Sequence, residues 1–231
     1  HARAYYNEAF EHIATIIEDT SIRSVQVYLI IGIFSQKMSC GSSIWQTTGL
    51  AIRTSVALGL HRSPSYNKKR IGRNEVDRAG QDLRSRVFWS AYSLERINGL
   101  VLGRPFGLSD VDIDAPLPDS EEYIVANHVF KLRKIQSSIC VFVYGPKHFN
   151  EDENEVNITR HQIMLELNSW KSTFPVNRDA KCTWETDNWC TISYHNSVLL
   201  LLRPVVLEVS EMKGRTSASA IEWFKIFTQS A

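Results

Sequence analysis

Three aspartates alternate as Asp110, Asp112 and Asp114, and Glu121 stands at the twelfth place of the same register. That spacing imitates a calcium loop, in which carboxylates converge on one hard cation. The sixth place is Ala115 where the sharp turn requires glycine, and Pro116 and Pro118 stiffen the path. The acids therefore read as helix caps or ion-pair partners, and no metal is expected in this segment. The seven histidines (His1, His12, His61, His128, His148, His161 and His195) form no H-E-x-x-H pair, and no nucleophile elbow or phosphate-cradling glycine loop is present. His61 follows Leu60 at a helix end, where a structural role beside the helix dipole is the expected one. Gly99 and Gly103, four apart, read as close packing or a helix stop. No acid–base or nucleophile pair can be assembled, so catalysis is not expected.

Arginine supplies the remaining chemistry. Arg53, Arg86, Arg96, Arg104 and Arg203 lie on helices that otherwise read as buried. A guanidinium there must find carboxylates or carbonyls, because an unpaired buried charge is strongly destabilising. Glu95, Asp110, Asp112 and Asp114 are the available acids and the candidate structural clamps. The alternative is an anionic ligand between helices, with Arg53, Trp89, Tyr92, Arg96, Arg104 and Tyr194 as its candidate contacts. Trp45, Phe88, Trp89, Tyr92, Trp170, Trp184, Trp189 and Tyr194 sit in or beside apolar helices and read first as core. Arg104 stands between Gly103 and Pro105, and proline disfavours helix at the residue before it. Its side chain is expected to turn back and pair bidentately with the aspartates that follow.

The elements that must hold these residues are helical. Apolar spacings of three and four run over residues 4–17, from Ser21 onward, and from Ser43 to Gly59. Ser43 and Gln46 have capping-box spacing. The clearest stripe is 82–102; further patterns cover 122–144, 159–173 and 189–209, and another starts near Ser217. Residues 62–80 read as an exposed basic loop, 103–119 as irregular, and 150–156 as an acidic surface loop. No segment alternates with period two, and no hairpin turn separates β-branched runs. The expected fold is all-α, a multi-helix bundle of roughly seven or eight helices, with 1–231 as one domain.

Eleven glycines and seven prolines in 231 residues are fewer chain breakers than the average of roughly 12%, which also favours long helices. The net charge of +1 gives no global field to hold DNA, RNA or an anionic membrane. Cys40, Cys140, Cys182 and Cys190 contain no C-x2-C pair, so reduced thiols in cytosol or nucleus are expected instead of a metal framework. No uninterrupted apolar run approaches the ~18 residues that span a bilayer. Both ends fall inside helical patterns, so the chain is expected to be an excerpt of a longer protein.

Two stretches, "WQTTGLAIRTSVALGLHR" at 45–62 and "RSRVFWSAYSLER" followed by "LGRPFGLSDVDIDAPLP" within 84–118, carry a family likeness. "SIRSVQVYLIIGIF" at 21–34 and "YHNSVLLLLRP" at 194–204 fit it more loosely. The sequence resembles the fungal-specific transcription factor domain, the middle homology region of fungal zinc binuclear-cluster regulators. Glu95 stands where such proteins commonly have Asp, which keeps the charge. The resemblance implies an all-helical regulatory domain controlling transcription by RNA polymerase II in the nucleus. It implies DNA contact, and zinc, only in a separate DNA-reading module. Its implied partners are a small-molecule effector and transcriptional co-regulators, with a homodimer as a further possibility. The alternative is a ligand-free scaffold for dimerisation or docking; neither reading involves an enzyme or a membrane.

Overall fold

The computed structural model describes residues 2–11, 13, 18–38, 43–63, 78–119, 121–145, 152–175, 185–211 and 218–230. Among them are eight α-helices and no strand, so the fold is all-α as the apolar periodicity requires. The helices are α1 (Ala2–Glu11), α2 (Ile22–Lys37), α3 (Ile44–Ala57), α4 (Arg78–Leu102), α5 (Ile124–Tyr144), α6 (Glu153–Ser172), α7 (Asp187–Glu211) and α8 (Ala218–Ser230). Single 3-10 turns occur at Asp110–Asp112 and Glu121–Tyr123. The chain divides into two compact units, His1–Glu121 and Glu122–Ala231. Cys40, Cys182, Trp184 and most of the expected 62–80 loop lie outside the described residues.

In the first unit α2, α3 and α4 pack on one another. A reciprocal capping box starts α2: Ser24 N–H donates to Ser21 Oγ (3.3 Å) and Ser21 N–H to Ser24 Oγ (3.1 Å). Val25, Tyr28, Leu29 and Ile31 form its buried face. Gly32 lets α2 approach α4, because a Cβ there would lie 3.1 Å from Leu94 Cδ2. Ser43 does take the N-cap position of α3, but its hydroxyl makes no cap bond. Ser43 and Gln46 are both exposed, and water competes for the donors that a capping box would satisfy. Gly59 ends α3 with φ +65°; Gly59 N–H then reaches Val56 O and Leu60 N–H reaches Ser55 O, both at 2.9 Å. Only glycine enters this left-handed turn without cost.

Helix α4 begins at Arg78, one turn before the apolar stripe starts. Arg78, Ala79 and Gln81 are good helix formers and offset the cost of Gly80, so the helix extends one turn beyond the apolar stripe. Arg84 Nη2 donates to the Leu58 carbonyl at 3.0 Å, tying α4 to the end of α3.

In the second unit α5, α6 and α7 pack together and α8 packs on α7. Leu132, Ile139, Leu167, Val198, Leu201 and Leu202 are fully buried at the centre of this core. Helix α6 starts two turns earlier than the apolar pattern, inside the expected acidic loop. Asp152 caps it by accepting the Asn154 N–H at 3.1 Å, and Glu153 and Glu155 suit the positive end of the helix dipole. Helix α7 runs through Pro204. Residues Asp187–Leu207 have the length and mean hydropathy of a membrane span; the same helix contributes Cys190, Val198, Leu201, Leu202 and Val205 to the core.

Candidate functional site

Most candidate residues lie on α4 and on the segment that returns along it. Gly103 stops α4 with φ +62°, and Arg104 N–H bonds back to Gly99 O at 2.9 Å. Phe106 folds onto Gly99, where a Cβ would come within 2.7 Å of its ring. Both glycines therefore act as the packing and stop positions that their spacing implies.

The returning chain meets Arg96, which is 1% exposed. Its Nη1 pairs with Glu95 Oε2. Nη2 donates to Leu108 O at 2.6 Å and lies 3.5 Å from Asp110 Oδ1. The guanidinium carbon stands 4.3 Å from the ring centres of both Tyr92 and Phe106. Glu95 Oε1 accepts the Gly107 N–H at 2.6 Å, and Tyr92 Oη donates to Asp110 Oδ1 at 2.6 Å. Burial holds the Tyr92 phenol above its ordinary pKa, so it stays protonated and donating. Farther along, Trp89 Nε1 donates to Pro116 O at 2.8 Å, and Ser85 Oγ donates to the same carbonyl.

A second anchor grips the segment from the end of α3. Arg62 Nε lies 3.2 Å from Asp114 Oδ1, which also accepts the Ser63 N–H at 2.7 Å. Arg62 Nη1 donates to the Asp112 carbonyl at 3.2 Å. The His61 carbonyl accepts from Asp114 and Ala115 N–H, both at 3.1 Å. The aspartates thus diverge to separate arginines instead of converging on a cation. Among the described residues no three metal-ligating side chains cluster.

Three expected ligand contacts, Trp89, Tyr92 and Arg96, come together with Glu95 and Asp110 in this network. Buried beside two acids, Arg96 acts as a clamp between helix and returning segment. Arg104 does not pair with the aspartates, contrary to the sequence expectation. It is exposed, with its guanidinium 4.7 Å over the Trp45 ring, and Asp110 and Asp114 are taken by Arg96 and Arg62. Arg53 is exposed on α3 and lies along Gly49. Arg86 pairs with Asp82 at 2.8 Å one turn away, and Arg203 is exposed. Asp112 contributes its carbonyl. Tyr194 belongs to the second unit, where Oη donates to Asn168 Oδ1 at 2.6 Å and Lys171 Nζ lies 4.4 Å over the ring.

Sequence reasoning missed the buried polar groups of the second unit. His128 stacks on Trp170 at 4.8 Å, and Trp170 Nε1 donates to the His128 carbonyl at 2.9 Å. Arg133 is 5% exposed, and Arg160 is buried near Phe142 and Trp223. Apolar neighbours on both sides, Leu132 before and Ile135 after Arg133, were the available signal. Cys190 is buried and its thiol is pushed up to about 11 by burial first and then by Asp187, which leaves it unreactive.

Residues 2–172, running through both units' shared boundary at Glu121 and Glu122, match the family described as the fungal specific transcription factor domain. The chain is 28% identical over 164 residues to the negative regulator of pleiotropic drug resistance STB5 of Candida glabrata, covering 68% of this chain and 16% of that protein. It is 25% identical over 228 residues to pyrimidine pathway regulatory protein 1 of Saccharomyces cerevisiae, covering 85% and 24%. It is also 25% identical over 234 residues to the thiamine repressible genes regulatory protein thi1 of Schizosaccharomyces pombe, covering 92% and 28%. The chain thus spans less than a third of the length of these relatives, all three named as regulators and none as an enzyme. No solved structure matches. The match over nearly three quarters of the chain carries the conclusion: this chain belongs to the fungal specific transcription factor domain family.

Proposed function

We propose that residues 1–231 act as one regulatory domain within a longer nuclear transcription factor, and that a small molecule sets its output. The observation that carries this reading is the family match over residues 2–172. The +1 net charge supports assigning DNA contact, and any zinc, to a separate module. Two relatives bear a metabolite class in their names, thiamine and pyrimidine, and a metabolite-responsive output extends that pattern to this chain. An effector would bias transcription by binding one packing of the helices more tightly than another.

The test is a fusion of this chain to an unrelated DNA-binding module, read on a reporter in cells given or denied candidate metabolites. Output that differs from the module alone and moves with one metabolite is expected. Output equal to the module alone under every condition overturns the reading.

A ligand-free scaffold for homodimers or co-regulators is the second reading. It is favoured by Ile30 and Ile33, which stand out to solvent three residues apart on α2. Scattered exposed apolar residues are ordinary, which keeps it second. A reporter that responds to no metabolite, with a chain that sediments as a dimer, would promote it.

A further inference from the structure

The net charge of +1 hides a segregation. From Thr20 to Asn74 the sequence contains eight lysines and arginines and no acid, while the rest of the chain carries 18 cations against 25 acids. Helices α2 and α3 lie wholly inside this run. Their exposed faces therefore carry a local positive field, which favours anionic partners.

On α2 the field has a shape. Arg23, Gln26, Ile30, Ile33 and Lys37 are all exposed, and their spacings of three, four, three and four put them on one stripe down the helix. Ile30 is 67% exposed and Ile33 52%, whereas Val25, Tyr28 and Leu29 on the other side are buried in the first unit. Two exposed isoleucines alone would be ordinary. Here they form the middle of a stripe with a cation at each end, about 21 Å apart along the axis. Glu18 and Asp19 come before the Ser21 cap and are not on the stripe. Arg23 stands in the first turn of α2, where the helix dipole disfavours a cation. The helix itself gains nothing from that charge.

We propose that this stripe is a docking surface for an amphipathic helix of a co-regulator, apolar at its centre and acidic toward both ends. Recognition between helices reads anchors three and four residues apart. Ile30 and Ile33 supply the apolar contact. Arg23 and Lys37 set the register, because charges at a rim fix orientation and reject wrong partners. A second copy of this chain is the occupant that the charges disfavour. Parallel pairing sets Arg23 on Arg23 and Lys37 on Lys37; antiparallel pairing sets Arg23 on Lys37. Like charges meet at both ends either way, and the stripe holds no acid to relieve them. The proposal rests on the docking reading given second above, to which it adds a surface and a partner chemistry, and it needs no metabolite.

The test titrates the whole chain into a fluorescent helical peptide of about five turns, with leucines three and four apart at its centre and glutamates in its end turns. Its controls are the same peptide with glutamine for glutamate, and a scrambled peptide of the original composition. The acidic amphipathic peptide should bind saturably and shift the Ile30 and Ile33 methyl resonances. The glutamine peptide should bind about fivefold more weakly at low salt, a gap that closes as salt screens exposed pairs. The scrambled peptide should not bind. Ile30→Gln with Ile33→Gln should abolish binding and melt close to wild type, since both side chains are exposed. Arg23→Glu with Lys37→Glu should invert the preference, toward a peptide with lysines at its ends.

Four results would overturn the proposal: the acidic peptide does not bind, the scrambled peptide binds equally, the Ile30→Gln/Ile33→Gln chain still binds, or the charge-reversed chain keeps its preference for acid. Should the charge-reversed chain not fold, the glutamine variant and the methyl shifts decide. A chain that sediments as a dimer, and as a monomer once Ile30 and Ile33 are glutamine, makes a second copy the occupant. That result overturns this partner and leaves the docking reading standing.

Discussion

The indole Nε1 of Trp89 donates to the carbonyl of Pro116 at 2.8 Å, joining the middle of α4 to the far end of the segment that returns along it. Trp89 is 2% exposed and packs edge-on to Phe88 and Tyr92, at 5.4 and 5.1 Å between ring centres. Trp89→Ala removes a buried aromatic and should cost about 3–5 kcal/mol. Trp89→Phe keeps most of the packing and loses the hydrogen bond, a cost of about 1 kcal/mol. Urea unfolding of both variants checks this; equal losses would mean that the indole N–H carries no separate weight.

Gly99 and Gly103 should respond differently to alanine, though both close the same helix. At Gly99 the new Cβ would meet the Phe106 ring at 2.7 and 2.8 Å and the Arg104 carbonyl at 3.1 Å. Overpacking costs about 1–3 kcal/mol, which exceeds the roughly 1 kcal/mol that alanine gains in helix propensity. At Gly103 there is open space but φ is +62°, so the loss is only the left-handed backbone penalty of about 1–2 kcal/mol. Enlarging Phe106's room with Phe106→Leu should therefore lessen the cost of Gly99→Ala and leave that of Gly103→Ala unchanged. Thermal melts of the two double variants decide it.

Acid should weaken the second unit through His128. Burial lowers its pKa in the fold; the backbone contact with Trp170 offsets part of this, and Lys131 adds a lesser lowering. The unfolded chain takes up that proton near pH 6.5, the folded chain only at lower pH. Below about pH 6.5 the unfolded state therefore holds more protons, and stability falls as pH drops. His61, lowered chiefly by burial and by Arg62, acts in the same direction in the first unit. His128→Phe should flatten the stability profile between pH 7.5 and 5.5 relative to wild type. An unaltered slope would show that His128 does not titrate with unfolding.

Arg104 is exposed against Trp45, and a cation over an aromatic face at such a site is worth about 0.5–1 kcal/mol. Arg104→Lys keeps the cation and should melt close to wild type. A loss as large as that of an Arg96 variant would restore the discarded pairing with the aspartates.

Helix periodicity made nearly all of this architecture readable, because a stripe such as Val87, Ala91 and Leu94 has only one way to be buried. Starts were harder. Arg78 and Glu153 begin helices on polar residues, where propensity and an Asp152 cap act without an apolar face. The acids of the clamp were identifiable as a set, yet their arginine was not. The choice between Arg96 and Arg104 depends on the left-handed turn at Gly103, which sends Arg104 toward Trp45 and brings Leu108 and Asp110 back over Arg96. Arg133 was hidden for a different reason. Local sequence marks a charge between apolar neighbours but not whether an acid from another helix meets it.

The grip of α4 on its returning segment is most directly measured at one amide. Gly107 N–H has a single acceptor in the clamp, Glu95 Oε1 at 2.6 Å, while Gly107 itself is exposed. Native-state hydrogen exchange should find this amide protected to the level of the buried amides of α4, and Glu95→Gln should lower that protection more than it lowers protection within the helix. Exchange of the wild-type Gly107 amide at the rate of an open loop would contradict the clamp.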